Sequence, residues 1–136
     1  MNTEKMTMNT KFQATAMAIA RVLMALIFIL SGLSKIGATD ATLGYMEAMG
    51  VPGILLWPTI VFEIGAGLLV VLGYQTRIIA FSLAGFCLVT AAIFHHQFAD
   101  QIQMIMFLKN LAMAGGFLLL SSFGPGMISL DAKRRG

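Results

Sequence analysis

Charge is scarce in this chain. Asp, Glu, Lys and Arg make up 11% of its 136 residues, against about 25% in soluble domains. Hydrophobic residues reach 58%, and the mean hydropathy is +0.85. That imbalance places the chain in the membrane class. Cysteine is nearly absent. The single Cys87 cannot form an internal disulfide, and it excludes CxxC redox chemistry and cysteine-ligated iron–sulfur or zinc sites within one chain. Its plain reading is a small buried apolar residue. There is no Ser-His-Asp set, no zinc-ligand spacing, no phosphate-cradling glycine loop and no carboxylate pair. No metal site is therefore expected. No basic stripe interleaves with aromatics, which removes nucleic acid from the partners to consider.

What the chain has in quantity is long apolar runs, four of them. They predict an all-α membrane protein, a four-transmembrane-helix bundle, with the lipid bilayer as its main surroundings. The membrane domain is expected at 14–122, with spans at about 14–35, 54–72, 78–97 and 102–121. At about 1.5 Å per residue, such lengths suit a hydrocarbon layer of about 30 Å. Residues 1–13 are polar and threonine-rich and read as a disordered cytoplasmic head. Residues 123–136 read as a basic cytoplasmic tail, with Gly124-Pro125-Gly126 stopping the last helix. A signal peptide is the other reading of the start, but Arg21 interrupts the run and Ala38-Thr39-Asp40-Ala41 is a poor cleavage site. The first span is thus expected to stay as a permanent helix. Between spans one and two, Asp40 to Met49 reads as a connector or a short interfacial helix, with Asp40 or Thr42 as N-cap and Gly50 as stop. The eleven methionines read as flexible packing.

Topology follows from where the bases lie. Lys5, Lys11, Arg77, Lys133, Arg134 and Arg135 fall at one set of ends, while Asp40, Glu47 and Asp100 fall at the other. Four spans bring the head, the second turn and the tail to one side, and the positive-inside rule makes that side cytoplasmic. The expected topology is N-in/C-in.

Ionisable groups inside the spans carry the functional signal. Glu63 is the only acid in the run 54–72. A carboxylate at that depth costs roughly 2.5–3.5 kcal/mol and needs a partner or a wet cavity. Counted from the outer surface, Lys35 and His95 lie near the boundary. Lys109 lies about 10 Å down, Glu63 about 13 Å and Arg21 about 20 Å. Arg21 and Lys35 share a helix face, and Lys35 can snorkel outward. Turned inward, these faces would hold Glu63 between Arg21 and Lys109, with Asn110 close by and the histidines above. Two readings stand. One is an ion network that fixes helix registry. The other is an outward-opening pocket, favoured because the bases outnumber the acid. The pocket's candidate ligand residues are Arg21, Lys35, Glu63, His95, Lys109 and Asn110, with Glu63 the best candidate for catalysis. An anion or a quinone head group fits such a pocket, and no cofactor is demanded by the residues. His95 and His96 point about 100° apart, so they cannot clasp one haem iron from opposite faces.

In order and spacing the chain resembles the DoxX family of small bacterial membrane proteins, and within it the YphA-like inner-membrane members. The resemblance rests on Arg21 ahead of Phe28-Ile29-Leu30-Ser31-Gly32-Leu33-Ser34-Lys35, and on Glu63 followed by Gly65 and Gly67. It continues through Leu72-Gly73-Tyr74-Gln75-Thr76-Arg77, His95-His96, Phe107-Leu108-Lys109-Asn110 and Gly124-Pro125-Gly126-Met127-Ile128-Ser129-Leu130-Asp131. It implies a multi-pass protein of the bacterial inner membrane. It also implies a link to quinone-coupled sulfur or thiol redox, as in subunits of thiosulfate:quinone oxidoreductase, or to oxidoreductase complexes that handle oxidative stress. The expected function is a redox-associated subunit with a pocket for a quinone or small anion, at most accessory to an enzyme. It would work beside an oxidoreductase partner subunit, and glycine-rich faces also suit a homo-oligomer. A small-solute transporter and an assembly scaffold are the alternatives.

Overall fold

A computed structural model describes the chain from Thr3 to Arg135, with side chains from Thr10 onward. Among the described residues there are helices and no strands. In chain order they are α1 (Thr3–Gly37), α2 (Thr39–Ala48), a 3-10 turn (Gly53–Leu55), α3 (Leu56–Leu72), α4 (Thr76–Phe94), α5 (Gln101–Phe123) and α6 (Leu130–Arg135). Among the described residues, four stretches are long and apolar enough to cross a membrane: Thr10–Gly37, Gly53–Leu72, Thr76–Phe94 and Gln101–Phe123. Most of each stays exposed on the monomer, as lipid-facing helices must.

The start of the chain departs from expectation. Backbone from Thr3 to Gln13 continues α1 instead of forming a disordered head, while Met1 and Asn2 lie outside the described residues. The physical reason is cooperativity. Once the apolar part of α1 is held, each added turn propagates an existing helix and needs no new nucleus, and no Gly or Pro interrupts the sequence before Gly32. The connector 38–55 resolves into α2 and the 3-10 turn. Ala38 stands at the α2 N-cap without a side-chain bond, so neither Asp40 nor Thr42 caps it. Gly50 follows the helix with φ 75°. The α5 start is capped by Asp100, whose carboxylate accepts from the Ile102 amide at 2.9 Å, satisfying one of the orphan donors of a helix start.

Helix α1 lies along α3, and α5 along α4; the two pairs meet more sparsely, through α3 with α4 and α1 with α5. Glycine sets the first pairing. A Cβ on Gly32 would stand 2.5 Å from Ile64 Cγ1, and one on Gly67 would stand 2.7 Å from Ile29 Cγ1. Missing side chains at both ends of the contact let the two backbones close up, as membrane helices do at small residues. The shared core holds Ala25, Val70, Ala80, Leu83, Cys87 and Phe117, each fully buried.

The end of the bundle opposite Lys35 is closed by the tail. Gly73 terminates α3 with φ 70°. The Gly73 amide bonds to Val70 O at 3.1 Å and the Tyr74 amide to Leu69 O at 3.0 Å, a Schellman closure. Asp131 then reaches back from the tail. Its carboxylate accepts from the Gln75 amide at 2.8 Å and the Thr76 amide at 2.9 Å, and its own amide donates to Gly73 O at 2.9 Å. The α4 N-terminus is thereby capped from 55 residues away. Among the described residues Gln75 is the one non-glycine residue at positive φ, and this clasp is what holds it there. Burial pushes the Asp131 carboxyl upward, but the two backbone donors, with Arg135 nearby, win and hold it below the usual carboxylate value.

Two outcomes are expected at this end. Gly73→Ala puts a side chain at positive φ, where the Arg21 guanidinium and Ser129 already stand, and should destabilise by about 1–3 kcal/mol, read as a lowered midpoint of thermal unfolding in detergent. Because the Asp131 pKa is depressed by folding, its contribution is complete above the ordinary aspartate value of about 3.9 and is lost as pH falls through the folded value. The Gln75 and Thr76 amide resonances should therefore titrate with a midpoint below that value, and Asp131→Asn should abolish the titration.

Candidate functional site

At the Lys35 end, the four long helices and α2 enclose a cavity of about 440 Å³, a size usual for small-molecule sites. Each helix contributes one face. On α1 the spacing of Ile27, Ser31 and Lys35 brings all three into the cavity, and on α3 the spacing of Thr59 and Glu63 does the same, since side chains four apart share a helix face. Helix α4 supplies Phe86, Thr90 and Phe94, and α5 supplies Met106, Lys109, Asn110 and Met113. Thr42, Tyr45 and Met46 of α2 form the roof. Tyr45 stacks on Phe94 with ring centroids 5.3 Å apart, and its phenol donates to the Phe94 carbonyl at 3.4 Å.

The walls are mostly apolar, with one ion pair set among them. The Lys35 ammonium donates to Glu63 Oε1 at 2.8 Å, to Glu63 Oε2 at 3.1 Å and to Ser31 Oγ at 2.7 Å. All three ammonium protons are thus engaged. The Glu63 side chain is 3% exposed and that of Lys35 25%, so the carboxylate is the buried partner and lysine joins it to the cavity. Across the cavity, Asn110 accepts from the Thr90 hydroxyl at 3.4 Å and donates to Met106 O at 3.0 Å. His95 Nδ1 lies 2.9 Å from Gln103 Oε1. With that oxygen as acceptor, the ring donates from Nδ1. Lys109 is exposed and takes no part in the one ion pair found among the described residues. Below, Phe28 packs edge-on against Phe86 at 6.1 Å and Phe117 at 5.5 Å, and Phe62 meets Phe86 at 5.2 Å. This aromatic layer floors the cavity.

Five of the six residues expected to bind ligand meet here: Lys35, Glu63, His95, Lys109 and Asn110. Arg21 does not. Fourteen residues before Lys35, it stands about 21 Å away along α1, 3% exposed, with its guanidinium donating to the Ile128 carbonyl of the tail. Its Nε and Nη1 have no hydrogen-bond partner. The partner of Glu63 is therefore Lys35, and the expected placement of Glu63 between Arg21 and Lys109 is corrected. Depth counted along each helix in isolation missed two things. The glycine contacts at Gly32 and Gly67 fix the register of α1 on α3, and Lys35 bends inward to the carboxylate rather than outward to the interface. Ser31, Thr90 and the Tyr45–Phe94 roof were also missed. Ser31 had a usable signal, lying one helical turn before Lys35 on the same face. His96 is exposed and lines no part of the cavity.

The DoxX family model matches residues 16–96, more than half of the chain. This chain belongs to the DoxX family. The matched stretch carries Lys35, Glu63 and His95, and ends before Lys109 and Asn110. Among curated DoxX relatives, the inner membrane protein YqjF of Escherichia coli (strain K12) is 46% identical over 121 residues, covering 89% of this chain and 93% of that protein. The inner membrane protein YphA of the same organism is 43% identical over 122 residues, covering 85% and 87% respectively. No solved structure matches the chain. With four spans and such relatives, this DoxX protein is a multi-pass protein of the inner membrane.

The ion pair generates a double-mutant test. Glu63→Ala leaves an unpaired lysine in the cavity wall and should cost about 3–5 kcal/mol. Glu63→Leu combined with Lys35→Met removes both charges and should cost much less than the sum of the single changes. Unfolding in mixed detergent micelles measures both.

Proposed function

We propose that this protein is a redox-associated subunit of the inner membrane whose cavity holds the head group of a quinone. One observation carries the reading: an apolar, aromatic-walled cavity at one end of the bundle contains a single buried carboxylate tied to a lysine. A flat, carbonyl-bearing ring fits such walls, and its oxygens need donors. Lys109 offers an ammonium without a carboxylate partner, and Asn110 offers an amide. Glu63 can hold a proton beside the ligand, because Lys35 can give up one of its three contacts to ligand or water. When bound, a quinone would exchange two electrons and two protons. This chain's share is to bind and orient the ring, exclude water and hold the proton at Glu63. Its lone cysteine is buried and cannot form an internal thiol pair, so the electrons are assigned to an oxidoreductase partner subunit.

The N-in/C-in orientation belongs to the same reading. Arg77, Lys133, Arg134 and Arg135 gather at the clasp end, while Asp40, Glu47 and Asp100 lie at the cavity end; the positive-inside rule turns the clasp toward the cytoplasm and the cavity outward. A solute transporter would need a path below the cavity. The aromatic layer of Phe28, Phe86 and Phe117 stands across that path.

Mass spectrometry of quinones retained by detergent-purified protein tests the reading. Wild-type protein should carry quinone enriched over bulk membrane. Glu63→Gln, which frees the Lys35 ammonium and removes the proton site, should retain about tenfold less, a loss of roughly 1.4 kcal/mol. No enrichment in wild type would sink the reading and leave the assembly scaffold ahead.

A further inference from the structure

A second hollow, independent of the cavity above, lies between the start of α4 and α6. We propose that it binds the phosphate of an anionic membrane lipid. It measures about 420 Å³ and is lined by Arg77, Ile78, Pro125, Asp131, Arg134 and Arg135 among others. Three guanidinium groups thus face one carboxylate. That carboxylate is already engaged, since both Asp131 oxygens accept from the Gln75 and Thr76 amides. Among the described residues, none of the three arginines forms an ion pair with a carboxylate. Arg77 donates to the Ser121 and Ser122 carbonyls, Arg134 lies 5.2 Å from the centroid of the Tyr74 ring, and Arg135 Nε donates to the Asp131 backbone carbonyl at 3.4 Å. Arg135 acts on the Asp131 carboxylate from nearby, but one carboxylate against three guanidinium groups leaves positive charge in surplus. Guanidinium forks match phosphate oxygens in pairs.

Depth selects a lipid over a soluble anion. The spans Thr76–Phe94 and Gln101–Phe123 begin and end beside this hollow, which sets it at the level of the lipid head groups. Ile78, 67% exposed, lines it, and the exposed Phe123 (74%) and Met127 (69%) stand two residues to either side of the lining Pro125 in the chain. They give acyl chains a surface to lie on while the phosphate enters the hollow. A free phosphate would gain the charge contacts only. Basic residues near a membrane surface attract anionic lipid, and here the tail clasp holds two of them, Arg134 and Arg135, against a third, Arg77.

Native mass spectrometry of the full chain in neutral detergent, titrated with phosphatidylglycerol or phosphatidylcholine, tests this. Phosphatidylglycerol should bind about tenfold tighter or better, and the preference should shrink as salt rises. Arg134→Gln with Arg135→Gln should remove most of it, whereas Arg134→Lys with Arg135→Lys should keep part, because the charge remains. The preference should survive millimolar inorganic phosphate; displacement of the lipid by phosphate would overturn the lipid assignment in favour of a free phosphate site. Equal affinity of the wild type for the two lipids would overturn the proposal outright, even where the glutamine variant fails to fold. An unchanged preference in a folded glutamine variant would do the same.

Discussion

Glu63 is the constraint on which the rest of this structure depends. A carboxylate that is 3% exposed inside an apolar helix has no stable place in a membrane unless a cation reaches it. Lys35 is that cation, and it reaches because Gly32 and Gly67 let α1 close on α3 without intervening side chains. Charge and close packing therefore specify the same register. A slip of one turn along α1 would move Lys35 about 5 Å from its partner and drive a larger residue into the space that glycine leaves open.

The two ends of the bundle solve the buried-polar problem differently. At the cavity end, Lys35, Glu63 and Ser31 satisfy one another, and the polar set of Thr90, Asn110, His95 and Gln103 stands apart from them. An open volume remains between the groups. At the clasp end the tail packs onto the helices. Arg21 extends past Gly73 to the tail, and Asp131 caps α4. One end therefore keeps an open volume between its polar groups and the other ties the tail to the helices, with the phenylalanine layer and the small-residue core between them.

Much of the candidate site was legible in the sequence. Intramembrane charge marks cost, so Lys35, Glu63, Lys109, Asn110 and His95 stood out against their apolar runs, and they do line one cavity. What was not legible was pairing. Arg21 carries the same kind of signal as Lys35, yet it serves the tail. Helix depth gives one coordinate of three, and register, rotation and side-chain direction supply the others. Asp131 was unreadable as a cap for a similar reason. Its donors are 55 and 56 residues distant in sequence, and cap patterns read from sequence are local.

By itself the sequence determined the class of the molecule, an all-helical membrane protein with four apolar spans, since apolar length, scarcity of charge and helix periodicity are properties of each segment alone. It also determined that Glu63 must have a partner. The tertiary structure decided which partner, because that choice rests on the register of α1 against α3, a relation between segments. It likewise decided that the cavity is roofed by α2 and floored by aromatics. It made the tail part of the bundle instead of a loose basic end, because docking Asp131 onto the α4 N-terminus requires the chain to fold back on itself.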